Sequence, residues 1–173
     1  MKIKELNFVA FGPFTDKPLS FDEDAGLHII YGPNEAGKSS ALRGLKSFLY
    51  GIDVRTSDNF LHDNNELRIQ GCLQNKEGNV LGFVRRKGRK NTLLDPDGNP
   101  LDEQVLLPFL QGVKLELFEA LFGIDHNSLQ QGGQEILEQK GEVGQTLFSA
   151  SLGRHSLHAV LEGLDTEAES LFK

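Results

Sequence analysis

The chain opens on a period-two pattern. Over residues 2–10, Leu6, Phe8 and Ala10 share one face and Ile3 and Val9 the other. Both faces are partly apolar, as in a strand lying inside a sheet. Phe11-Gly12-Pro13-Phe14 breaks that strand, and Leu19-Ser20-Phe21 reads as a second, short one. The run Leu27-His28-Ile29-Ile30-Tyr31 reads as a buried strand. Residues 39–50 switch to helical spacing, with Leu42, Leu45 and Leu49 at i, i+3 and i+7 and Gly51 just past the end. Residues 52–65 are polar, irregular and long for an ordinary loop, so they are either mobile or functional. Alternation returns over 66–74 through Leu67, Ile69, Gly71 and Leu73, turns at Asn75-Lys76-Glu77-Gly78-Asn79, and comes back over 80–87. A third strand over 91–95 runs into the turn Asp95-Pro96-Asp97-Gly98-Asn99-Pro100. These three strands form an antiparallel meander inserted after the first helix. From Asp102 the period is helical again: a short helix over 103–110 carrying Pro108, and another over 114–122 closed by Gly123.

Between the run at 27–31 and the first helix lies Gly32-Pro33-Asn34-Glu35-Ala36-Gly37-Lys38-Ser39-Ser40. Gly32, Gly37, Lys38 and Ser39 satisfy G-x-x-x-x-G-K-[ST], the phosphate-binding loop. The glycines let backbone N–H groups wrap a polyphosphate, Lys38 reaches its β and γ groups, and the Ser39 hydroxyl sits on Mg²⁺. The helix that follows aims the positive end of its dipole at the anion. Strand, loop and helix fall in the order the motif needs.

The end of the chain carries a different period. Leu157, Leu161, Leu164, Ala168 and Leu171 fall at spacings of 4, 3, 4 and 3 with acidic residues between them, a heptad seam that is still running at Lys173. A chain cut from a longer one is the expectation.

Composition narrows the class without settling it. The 173 residues are 38% apolar, enough for one domain with a core or one lobe of something larger. A net charge of −7 argues against a generic nucleic-acid coat but allows a local basic patch. The single Cys72 forms no internal disulfide. No segment approaches the roughly 20 apolar residues of a membrane span, and no apolar stretch after Met1 suggests a signal peptide. The expected location is cytoplasmic.

A complete phosphate-loop NTPase also needs a carboxylate at the end of a second buried strand. After Lys38 there is none: Leu93-Leu94-Asp95 is short and enters a turn, and Phe122-Gly123-Ile124-Asp125 follows a helix. A self-contained GTPase or small kinase is the alternative. Asp95-Pro96-Asp97-Gly98 matches D-x-x-G, but Asn75-Lys76-Glu77-Gly78 has Gly78 where a guanine-reading Asp belongs, and the order is reversed. Arg85, Arg86 and Arg89, candidates for a kinase lid, sit on a predicted hairpin. The chain holds half a site.

On these residues the chain resembles the N-terminal ATPase lobe of the SMC/RecF/SbcC group, whose heads are of the ABC type, and within it the bacterial YhaN-type AAA proteins. The matching segments are Phe11-Gly12-Pro13-Phe14, the loop Gly32 to Ser39 (with Glu35 where SMC proteins usually carry Gly), the basic stretch Arg85-Arg86-Lys87-Gly88-Arg89-Lys90, Leu121-Phe122-Gly123-Ile124-Asp125-His126 and Gln131-Gly132-Gly133. The resemblance implies an α/β fold: a P-loop NTPase, ABC-ATPase-like N-terminal lobe with a mixed sheet, an antiparallel β meander and flanking helices. It implies a lobe over residues 1–155 and, over 156–173, the start of a helix leading into a coiled coil.

ATP and Mg²⁺ are the implied cofactors, and residues Gly32, Pro33, Asn34, Glu35, Ala36, Gly37, Lys38, Ser39 and Ser40 the implied nucleotide site. Lys38 and Gln131 are the catalytic candidates. Ser39 and Gln131 are the metal candidates, Gln131 as the Q-loop glutamine with Gln130 beside it as the other choice. The implied partners are the chain's own C-terminal lobe, a second head that dimerises on ATP, DNA, and an SbcD-like nuclease subunit. DNA would meet Arg85, Arg86, Lys87, Arg89 and Lys90, five cations in six residues. The implied role is ATP hydrolysis in DNA repair or processing. A further alternative is an interaction module in which ATP only gates partner docking.

Overall fold

The computed structural model describes residues 1–22, 25–123, 129–130 and 134. Met1–Gly123 forms one compact unit, built on a single five-stranded sheet. Strands β1 (Lys2–Phe11) and β2 (Phe14–Ser20) are joined by the two-residue turn Gly12-Pro13, with Gly12 at φ 54. A positive φ at the first turn position suits the right-handed twist of a hairpin, and glycine adopts it without strain. Strands β3 (Arg68–Gln74), β4 (Val80–Arg86) and β5 (Leu93–Leu94) make the expected meander. The order is β2-β1-β3-β4-β5, every pair antiparallel. Two register shifts along β1, between Ile3 and Glu5 and between Asn7 and Ala10, set Ile3 opposite Leu73 and Leu6 opposite Gly71.

Helix α1 (Lys38–Tyr50) lies on one face of the sheet. Its Ala41, Phe48 and Leu49 join Leu6, Phe8, Phe11, Ile69, Leu73 and Phe83 in the core, where Phe48 and Phe83 stack at 4.2 Å. Two glycines permit the close approach. A Cβ on Gly44 would stand 2.4 Å from the Phe8 ring, and one on Gly71 would stand 2.8 Å from the Phe48 ring. A 3₁₀ turn (Glu103–Leu106), capped by the Asp102 carboxylate on Gln104 N–H at 2.8 Å, runs into the one-turn helix α2 (Leu107–Leu110). Helix α3 (Leu115–Leu121) packs Phe118 on Tyr50 and is tied to α1 by a Lys46–Glu119 ion pair at 2.7 Å.

The α/β fold, the meander and the flanking helices follow the sequence expectation closely. The mixed sheet does not. Residues 27–31 form no strand and pair with none among the described residues. Leu27, Ile29, Ile30 and Tyr31 are 75, 79, 52 and 92% exposed. An apolar run becomes a buried strand only where neighbours cover its faces and satisfy its backbone groups, and no described residue does so here. The expected boundary at 155/156, the terminal helix and Gln131 lie outside the described residues.

Candidate functional site

The phosphate loop feeds directly into α1. Gly37 is the residue before the helix, left-handed at φ 88 and ψ 13 with no side chain to cap it, and the first intrahelical bond runs from Ala41 N–H to Gly37 O at 2.8 Å. The leading N–H groups of any α-helix lack intrahelical acceptors, and no acidic residue occupies this first turn. The end is therefore open to an anion. The Lys38 ammonium donates to the carbonyl oxygens of Gly32 and Pro33 at 2.8 and 2.7 Å, which holds it over its own loop. Ser39 is exposed. Ser40 is not: it is buried, and its Oγ accepts from Arg43 Nη2 at 3.0 Å. Only its backbone is left to serve a ligand.

The loop rests on the β1–β2 turn. A Cβ on Gly37 would stand 2.7 Å from Phe14 Cζ and 3.1 Å from Pro13 Cγ, so this position needs glycine for contact as well as for φ. Phe14 in turn stacks on Phe8 at 4.9 Å. The polar stretch after α1 straps this turn to the helix. Gly12 N–H donates to Asp58 O at 2.8 Å, and the buried Asp58 carboxylate takes Arg43 Nε and Nη2 at 2.8 and 2.7 Å. The hydrogen bonds to Asp58 raise the Arg43 pKa against the opposing effect of burial. His62 Nε2 lies 2.9 Å from Phe14 O and 3.0 Å from Thr15 Oγ1. Thus the stretch read as mobile or functional is anchored at Asp58 and His62. The Arg43–Asp58 pair was missed because no motif links a helix arginine to a loop aspartate 15 positions later.

The basic stretch divides. Arg85 is 1% exposed, contrary to its assignment as a DNA contact. Its Nε and Nη2 donate to Phe48 O and Leu49 O at 3.3 Å, its Nη1 pairs with Glu103, and its guanidinium lies 6.0 Å from the Phe83 ring centroid. A cation that satisfies the last carbonyls of a helix is a structural C-cap. Lys87 Nζ donates to Val54 O at 3.0 Å, whereas Arg89 and Lys90 are exposed. Arg86 is half-buried, and its Nε has no partner among the described residues. It stands opposite Arg68 of β3, a cation outside the basic stretch. Gln130 is helical and exposed; Gln131 is not among the described residues.

The chemistry of the loop fits a polyphosphate carrying Mg²⁺. An ammonium, an exposed hydroxyl at Ser39 and the open end of a helix converge in eight residues. Among the described residues no group of three His, Cys, Asp or Glu is placed to hold a metal by itself. Beside the loop, an apolar cleft of about 230 Å³ runs between the sheet and α1, lined by Leu6, Leu19, Phe21, Ile30, Leu42 and Leu45, with Lys38 also on its wall.

Comparison with known proteins bears on the family and the fold. The family model described as an AAA domain matches residues 1–173. The Bacillus subtilis (strain 168) protein YhaN is 25% identical over 178 residues, covering 100% of this chain. The chain spans 18% of YhaN's length. A solved SMC ATPase chain, from work on ATP-driven dimerization and DNA-stimulated activation, superposes with a TM-score of 0.52 at 15% identity. That match covers 88% of this chain and 100% of the other. The chain belongs to the AAA domain family and shares the fold of that SMC ATPase chain.

Proposed function

We propose that this chain is the ATP-binding N-terminal half of an SMC/SbcC-like head, completed by a C-terminal lobe beyond a coiled coil. One observation carries the reading: the phosphate loop is braced from below, while the apolar run leading into it stands exposed beside an apolar cleft. A second lobe that pairs with residues 27–31 would cover both and bring the missing carboxylate. On this reading Lys38 exchanges the carbonyls of Gly32 and Pro33 for β and γ phosphate oxygens. Ser39 and Gln131 would hold Mg²⁺, which would screen phosphate charge, and the N–H groups of Gly37 to Ser40 would complete the cradle. Gln131 also positions the attacking water. ATP joins two heads, and hydrolysis drives DNA repair or processing in the cytoplasm, with an SbcD-like nuclease as a partner. DNA phosphates meet Arg86, Lys87, Arg89 and Lys90, with Arg68 beside them.

The test is nucleotide binding and turnover, by the 173-residue chain and by the full-length protein. Binding without turnover by the chain, turnover by the full-length protein, and loss of both in Lys38→Ala are expected. Robust hydrolysis by the chain alone would instead make it a self-contained NTPase. A second reading, ATP as a gate for partner docking, predicts binding and partner association that respond to ATP without hydrolysis. Equal association with and without ATP sinks it.

A further inference from the structure

Glu35 is the odd member of the phosphate loop. Its φ is 65, a left-handed conformation that costs a non-glycine residue roughly 1 kcal/mol. Residues held so at a ligand-facing loop point to a role that outweighs the strain. The side chain is exposed, and among the described residues its carboxylate makes no hydrogen bond or ion pair that would explain its presence. Electrostatically it works against the loop. From Gly32 to Ser39 the charged residues are Glu35 and Lys38, so the carboxylate cancels the ammonium and leaves the cradle with no net formal charge. Lys38 and the open N-terminus of α1 then attract an anion against the pull of that carboxylate. A carboxylate carried by the loop itself lies within about one Debye length, roughly 8 Å at physiological salt, of any phosphate the loop holds, so solvent ions do not screen it away. Its repulsion scales with ligand charge, and a free nucleoside triphosphate carries about twice the charge of its Mg²⁺ complex.

We propose that Glu35 is a charge filter at the lip of the phosphate loop, admitting Mg²⁺-complexed nucleoside triphosphate and turning away the metal-free form. The inference rests on the ATP-binding reading above and assigns that site its ligand form.

The experiment measures the dissociation constant of ATP for the full-length protein in excess Mg²⁺ and in EDTA, for the natural sequence, Glu35→Gln and Glu35→Gly. Glutamine removes the charge and keeps the left-handed strain; glycine removes both. The expected result is that both variants tighten metal-free binding more than Mg²⁺-ATP binding, lowering the ratio of the two constants roughly fivefold. An unchanged ratio in Glu35→Gln overturns the filter. So does weaker Mg²⁺-ATP binding in that variant, which would make Glu35 an attractive contact. No binding by the natural sequence in either condition overturns the ATP-binding reading itself, a different failure.

Discussion

The two ends of α1 are finished in opposite ways. At its C-terminus, the buried Arg85 takes the carbonyls of Phe48 and Leu49, pairs with Glu103 and faces Phe83, while Gly51 N–H closes on Ser47 O. At its N-terminus no side chain caps the helix, no acid stands in the first turn, and Gly37 and Ser39 leave the N–H groups uncovered. Both ends of any helix carry orphan polar groups, and a fold under no other demand satisfies both. Satisfying one and leaving the other open, on a floor built of Phe14 and Pro13, reserves that end for an anion.

Substitutions at each end sharpen the contrast. Lys38→Ala removes the single cation of the open end; nucleotide affinity should fall by about two orders of magnitude, while the urea midpoint stays put. A large drop in stability instead would make Lys38 a structural residue. Arg85→Ala reopens the closed end and should cost about 3 kcal/mol in urea unfolding, because the last carbonyls and Glu103 lose their buried partner. Unaltered stability there would mean that the two ends do not differ. Asp58→Ala strips Arg43 of its carboxylate partner while the backbone bond to Gly12 and the His62 anchor remain, for a loss of about 2 kcal/mol, with nucleotide affinity falling less than in Lys38→Ala as the strap slackens beneath Gly37. Glu35→Gly relieves the left-handed strain and should change stability by less than about 1 kcal/mol, since glycine adds unfolded-state entropy of opposite sign. A calorimetric melt resolves that small shift.

The local pattern made most of this fold legible. Alternation through Leu67, Ile69, Gly71 and Leu73 and the spacing of Leu42, Leu45 and Leu49 belong to single elements, whose periods are set by backbone geometry. The phosphate loop was legible for the same reason. Arg85 was misread because it stands among cations, although it also continues the alternation of Leu81 and Phe83 on the face turned to α1. That period, weighed above its charge, would have placed it inside. Ser40, next to Ser39, is left with its backbone for a ligand, because one helical step turns a side chain by about 100° and carries its hydroxyl to Arg43. Residues 27–31 were misjudged for a deeper reason: apolarity says that a segment is meant to be covered, not which part of the protein covers it.

The pairing of β1 with β3 also bears on how the chain reaches this state. Leu6 pairs with Gly71 across the phosphate loop, α1 and the Asp58 strap, so the central seam of the sheet closes over a long intervening stretch. The β1–β2 and β3–β4 hairpins form from neighbours in sequence and should be fast, whereas that seam bears the loop-closure entropy and sets the folding rate. The phosphate loop meets its floor of Phe14 and Pro13 when α1 docks on the sheet, and a nucleotide analogue that lights up on binding would serve as a clock for that step.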